Sequence, residues 1–185
     1  MNAFALTFVA FALAALAWRL WLLARHARHV SRHRDRVPPD FATLVPPEAH
    51  ARAADYTRDK VRVAALEAVA IDGALLLAMS VGGGLAALDA VAASLLGTGY
   101  ARDLATVFAF VAVGAAASLP FDAWRTFGVE ARHGFNKSTP ALFAADIAKG
   151  VALAAALGTP LVLAVCWFIE ATGAWWWVWA WVAWV

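Results

Sequence analysis

Ala3 to Leu23 is a run of about 21 residues that carries one charge, Arg19. As a helix it reaches ~30 Å, the thickness of a bilayer's hydrocarbon core. Backbone polar groups in lipid must pair within the chain, so such a run commits it to helices. Four more apolar stretches follow: Val63 to Leu88, Leu104 to Leu119, Ala148 to Ile169 and Ala174 to Val185. Hydrophobic residues make up 63% and charged residues 15% of the chain, against about 25% charged in a soluble domain. Mean hydropathy is +0.68. These values exclude a disordered chain and leave too few polar side chains to cover a water-soluble fold. The expected class is an all-α membrane protein, one domain over 1–185. Residues 3–23, 63–88, 104–119 and 148–169 are read as full spans and 174–185 as a truncated fifth, with helical cytoplasmic loops.

The fifth stretch covers only ~18 Å as a helix. It holds six of the ten tryptophans: Trp175, Trp176, Trp177, Trp179, Trp181 and Trp184. Tryptophan favours the membrane–water interface, so the first three mark an entry point. The expectation is a span cut short, with an interfacial or re-entrant terminus as the alternative.

Orientation follows from the basic residues in the loops. Nine of the fifteen Lys+Arg lie between Ala24 and Arg62. Between Asp89 and Asp103 there is one, Arg102; between Phe121 and Lys149 there are Arg125, Arg132, Lys137 and Lys149; around Glu170 there are none. This alternation puts the first and third loops in the cytoplasm and the N-terminus outside. A cleaved signal peptide would carry its positive charge before the apolar run, not after it. Arg outnumbers Lys twelve to three, which suits a GC-rich bacterial genome and hence a bacterial inner membrane.

Nucleic acid is not an expected partner, because Asp35, Asp40, Glu48, Asp55 and Asp59 interrupt the basic segment and no aromatic stacking platform accompanies it. The single cysteine, Cys166, permits no internal disulfide and no CxxC site. His26, His29 and His33 share a helix face, a spacing that suits zinc. Arg25, Arg28, Arg32, Arg34 and Arg36 around them oppose a dication, so this reads as a basic helix at the lipid headgroups. Val45-Pro46-Pro47-Glu48 starts a second helix that runs into the second span, with Glu48 at the positive end of its dipole.

Glu67 and Asp72 lie inside that span, where a charge costs ~2.5–3.5 kcal/mol on insertion scales. Five residues apart, they form no dyad by themselves. They either face a wet cavity or pair with a partner such as Arg19. Gly82-Gly83-Gly84 permits close helix contact or a break, and lacks phosphate-loop spacing.

The third loop carries Leu119-Pro120-Phe121, Phe127, Glu130 and His133-Gly134-Phe135-Asn136. It reads as a helix exit, an aromatic turn, a Gly-containing loop and a helix start, with Thr139 as cap and Pro140 at the first position. His133-Gly134 places an imidazole on a tight turn.

This stretch resembles the Ste24-type CAAX prenyl proteases, the membrane-embedded zinc endopeptidases of the M48 group. That family carries Leu-Pro-Phe, then Phe-x-x-Glu, then His-Gly-Phe-Asn between two membrane helices. The first loop resembles bacterial members through His29-Val30, His33-Arg34-Asp35, Val37-Pro38, Phe41, Ala53-Ala54-Asp55-Tyr56-Thr57 and Lys60. The resemblance implies tilted helices around a water-filled intramembrane chamber, with Glu67 and Asp72 as chamber-facing acids. It also implies a zinc site reached from the cytoplasm, built on His-Glu-x-x-His with a further Glu. The five histidines here are followed by Ala27, Val30, Arg34, Ala51 and Gly134, so no catalytic residue and no metal ligand carries over. Glu130, His133, Gly134, Phe135 and Asn136 are motif residues without an assigned role.

The expected function is therefore the N-terminal membrane region of a Ste24-like metalloendopeptidase, inactive alone, with zinc belonging to a separate catalytic half. Its expected partners are the bilayer and that half, or a second copy. The alternatives are a membrane scaffold that binds a partner and a proton-coupled transporter using Glu67 and Asp72; the lack of an inverted repeat weighs against the latter.

Overall fold

A computed structural model describes residues 3–184. Helix α1 is Ala3–Arg32, so the first span continues into the basic segment as one rod. Along it, Trp18 and Trp21 stack at 5.0 Å, and the Arg25 guanidinium sits 5.5 Å over the Trp21 ring.

A short 3₁₀ turn, Pro39–Phe41, leads to α2, Pro47–Glu67. Proline stands in the first turn, where its missing N–H costs no hydrogen bond, and Glu48 faces the positive helix end. The helix then widens into a π-type stretch, Ala68–Leu75, and closes with α3, Leu76–Ser80. The second span thus ends at Ser80 and not at Leu88. Gly82-Gly83-Gly84 is a break: Gly83 has φ of 80°. A Cβ on Gly82 would lie 2.6 Å from the Ala78 carbonyl oxygen, and one on Gly84 would lie 2.8 Å from the Met79 sulfur. Only glycine fits a chain turning this tightly. Residues 84–88, expected in the span, instead open a separate helix, α4, Gly84–Leu96.

Helix α5 is Tyr100–Ala123 and runs straight through Pro120. It continues as a second π-type stretch, Trp124–Glu130. The expected exit at Leu119 does not occur. A proline removes one hydrogen bond and crowds the preceding turn, and membrane helices tolerate this because neighbouring groups re-satisfy the freed carbonyl. Helix α6, Pro140–Thr172, passes through Pro160 in the same way. Its start matches the sequence expectation: the Thr139 side chain accepts a hydrogen bond from the Leu142 N–H at 3.2 Å. A 3₁₀ turn, Gly173–Trp175, precedes α7, Trp176–Trp184, which spans only ~14 Å.

Among the described residues, four helical runs are long and apolar enough to cross a membrane: Ala3–Arg32, Pro47–Ser80, Tyr100–Glu130 and Pro140–Val182. The residues gather into two compact units. The first holds Met1–Gly84 and Val113–Lys137. Its small core is Ala54, Val63, Ala68 and Val129, where α2 packs on α1 and on Trp124–Glu130. A Cβ on Gly73 would lie 3.0 Å from Leu16 Cδ2, so glycine sets the approach of α1 to the widened segment. The second unit holds Leu85–Ala112 and Ser138–Val185, with Ala92 buried and Gly158 facing the Phe108 ring. Large apolar side chains such as Phe11, Leu95, Leu153 and Trp167 are exposed. In lipid these positions cost nothing, because hydrocarbon solvates them.

Candidate functional site

The stretch His133-Gly134-Phe135-Asn136 is a helix stop. Gly134 adopts φ of 77°, the left-handed conformation that side chains with a Cβ avoid. The Phe135 N–H donates to the Glu130 carbonyl at 2.8 Å, and the Gly134 N–H donates to the Ala131 carbonyl at 3.2 Å. This pair of bonds is the Schellman arrangement, which satisfies the last carbonyls of a helix. The Asn136 N–H also reaches the Glu130 carbonyl, at 3.2 Å. The Glu130 carboxylate itself has no ion pair among the described residues.

The cap delivers its side chains onto α2. The His133 Nε2–H donates to Asp59 Oδ2 at 3.1 Å, since a carboxylate only accepts. Arg132 Nη1 donates to the same oxygen at 3.2 Å. Tyr56, three residues before Asp59, meets the His133 ring edge-on at 5.3 Å and the Phe135 ring at 4.7 Å. On its other side the Lys60 ammonium lies 5.2 Å from the Tyr56 ring centre. Positions 56, 59 and 60 share one helix face by their spacing. The two segments that carry the resemblance, one in the first loop and one in the third, therefore meet. Sequence reading gave His133 no partner.

One turn earlier, Arg34 clamps Asp55 with two parallel bonds of 2.9 and 2.8 Å and reaches Asp35 at 2.6 Å. The bond to Asp55, then that to Asp35, raises the Arg34 pKa far above its ordinary value. The clamp fixes the end of α1 against the first turns of α2.

Each membrane acid holds an arginine from another element. Glu67 accepts from Arg125 at 2.6 Å, and Arg125 also reaches Asp122 at 2.7 Å. Asp72 pairs with Arg19 of α1. Glu67 and Asp72 do not meet. Asp72 lies in the first widened stretch and Arg125 in the second, and such widened turns commonly re-aim a side chain. An open cleft of about 310 Å³ lies beside them, lined by His26, Tyr56, Lys60, Ala64 and Arg125 among others.

Two of the remaining histidines, His33 and His50, are tied to backbone. The His29 and His33 rings lie 4.3 Å apart. His33 Nδ1 contacts the His29 carbonyl, and His50 Nε2 contacts the His33 carbonyl, each at 2.9 Å. Among the described residues, no three His, Cys, Asp or Glu side chains stand where they could share a metal ion. The residues present do not fit a zinc centre, so no chemical step is assigned to one here.

In the second unit, Arg102 forks onto Asp89, with Nε donating at 2.8 Å, and Thr106 adds a bond at 3.3 Å. The hydrogen bond from Arg102 holds the Asp89 carboxyl below the usual carboxylate range. Tyr100 donates to Glu170.

Comparison with known proteins gives the arrangement a family. Residues 26–185 match the CAAX prenyl protease N-terminal domain, described as five membrane helices. A CAAX prenyl protease 1 homolog of Arabidopsis thaliana is 44% identical over 55 residues, covering 30% of this chain and 13% of that protein. The homolog of Oryza sativa subsp. japonica is 46% identical over the same length and shares. The crystal structure of S. mikatae Ste24p superposes with a TM-score of 0.83 at 20% identity, over 94% of this chain and 41% of that one. At that identity the superposition speaks for the fold. The chain thus spans well under half the length of the relatives it matches, and it is an integral membrane protein that belongs to the CAAX prenyl protease N-terminal domain family.

Proposed function

We propose that these 185 residues form part of the wall of an intramembrane chamber in a Ste24-like zinc endopeptidase. The zinc ligands would come from polypeptide outside these residues. The observation that carries this reading is the docking of His133 and Phe135 on Asp59 and Tyr56. It joins the two family-like loops into one layer at the end of the first unit, a scaffold on which a peptidase half would sit. Glu67 and Asp72 would serve there as helix ties on the chamber side, a reading supported by their ion pairs with Arg125 and Arg19. That role differs from proton carriage, because each carboxylate already holds a fixed cation.

The loop charges support a cytoplasmic position for the His133–Asp59 layer and an external N-terminus, and the excess of arginine over lysine supports a bacterial inner membrane as host. In a Cys166→Ala background, Thr98→Cys should react with an impermeant maleimide on intact cells and Ser31→Cys only after permeabilisation. The reverse pattern would invert the topology. For function, the purified chain should not cleave a prenylated peptide, with or without zinc. Cleavage by the chain alone that a chelator abolishes would overturn the proposal.

A further inference from the structure

Helices α1 and α2 leave a second cleft, distinct from the one beside Arg125 and about 340 Å³ in volume. Its walls divide by chemistry. Leu20, Leu23 and Ala24 of α1 face Val61 and Ala65 of α2 and make an apolar trough. At the polar end stand Arg58 and Arg62, one helical turn apart on α2. Arg58 reaches Asp55 through one nitrogen at 3.3 Å, while Arg34 holds both oxygens of that carboxylate. Arg62 has no acidic partner among the described residues. Asp59 also borders the cleft, but Arg132 and His133 already hold it.

We propose that this cleft is a binding site for an anionic phospholipid of the surrounding bilayer. The phosphate would sit between the Arg58 and Arg62 guanidiniums and an acyl chain against Leu20, Leu23 and Ala65. Three features select this occupant. Leu20, Leu23 and Ala24 belong to a helix long and apolar enough to cross a membrane, so the trough's apolar wall matches an acyl chain. The charge lies where Val63 begins the apolar run, the depth of lipid phosphates. Guanidinium pairs bind phosphate oxygens in a forked geometry that a zwitterionic headgroup offsets with its own cation. The site is independent of any peptidase half.

The test uses the full chain, reconstituted with equimolar phosphatidylglycerol and phosphatidylcholine and then examined by native mass spectrometry. The expected result is selective retention of phosphatidylglycerol. Arg58→Gln with Arg62→Gln should cut that retention by about fivefold or more per charge removed. Ala24→Phe, which fills the trough without changing charge, should cut it as well. Arg32→Gln with Arg36→Gln removes equal charge outside the cleft and should cut retention clearly less than the cleft pair does. Equal loss in the control pair would reduce the effect to general surface charge and overturn the proposal. Retention unmoved by all three variants would overturn it too, and would assign the cleft to a protein segment.

Discussion

His133 and Asp59 are joined by a 3.1 Å hydrogen bond although 74 residues separate them in the chain. The imidazole is largely covered, with 14% of its side chain exposed. Loss of a bond to a charged acceptor at such a site costs about 1–2 kcal/mol. Asp59→Ala removes the acceptor of both His133 and Arg132. It should lower the melting temperature in detergent and speed hydrogen exchange at residues 133–137. Unchanged exchange there would show that the aromatic contacts of Tyr56 suffice.

Gly134 carries a second, separable demand. Its φ of 77° suits glycine and strains alanine, so Gly134→Ala should cost about 1 kcal/mol or more. A Cβ at this position meets nothing within 4 Å, so the loss is one of backbone conformation and not of packing. Gly134→Asn, which tolerates the left-handed region better, should recover part of the melting temperature.

What the sequence disclosed follows from the range of the signals involved. Apolar runs, the Pro47 start and the Thr139-Pro140 cap are local, and the chain obeys them. The glycine triplet announced a break or a close contact, and only the steric limits at Gly82 and Gly84 decide for the break. Pro120 misled because the penalty that ends a helix in water is tolerated in a membrane helix, where neighbouring groups re-satisfy the freed backbone carbonyl. The pairing of Asp72 with Arg19 was one of two open options. The partners of His133 and Glu67 were not legible, since contacts across 74 and 58 residues leave no periodic trace.

Glu67 and Arg125, with 20% and 31% of their side chains exposed, form a tie that a double-mutant cycle can isolate. Glu67→Gln and Arg125→Gln should each destabilise the reconstituted chain. The double variant should lose less than the sum of the two, with a coupling of about 1 kcal/mol. No proton-driven uptake should accompany the pair in vesicles. Additive losses would mean that the two side chains do not support each other in lipid.

Asp89 gives a pH signature in the second unit. Arg102 holds its carboxyl below the usual range. A carboxyl depressed in the folded state stabilises that state above its unfolded pKa of about 3.9, and this support fades as pH falls through the lower folded value. Hydrogen exchange around residues 89–106 should therefore rise as pH drops below about 4, after correction for intrinsic rates. Asp89→Asn should flatten that rise and leave exchange at residues 133–137 unaltered.

The most direct measurement is a graft. A Ste24-type protease whose N-terminal membrane region is replaced by this chain is assayed, after purification, for cleavage of a prenylated peptide with zinc. The graft should cleave, the chain alone should not, and Asp59→Ala in the graft should reduce cleavage severalfold. A graft that inserts and folds yet stays inactive, or a lone chain that cleaves, would contradict a chamber-wall role.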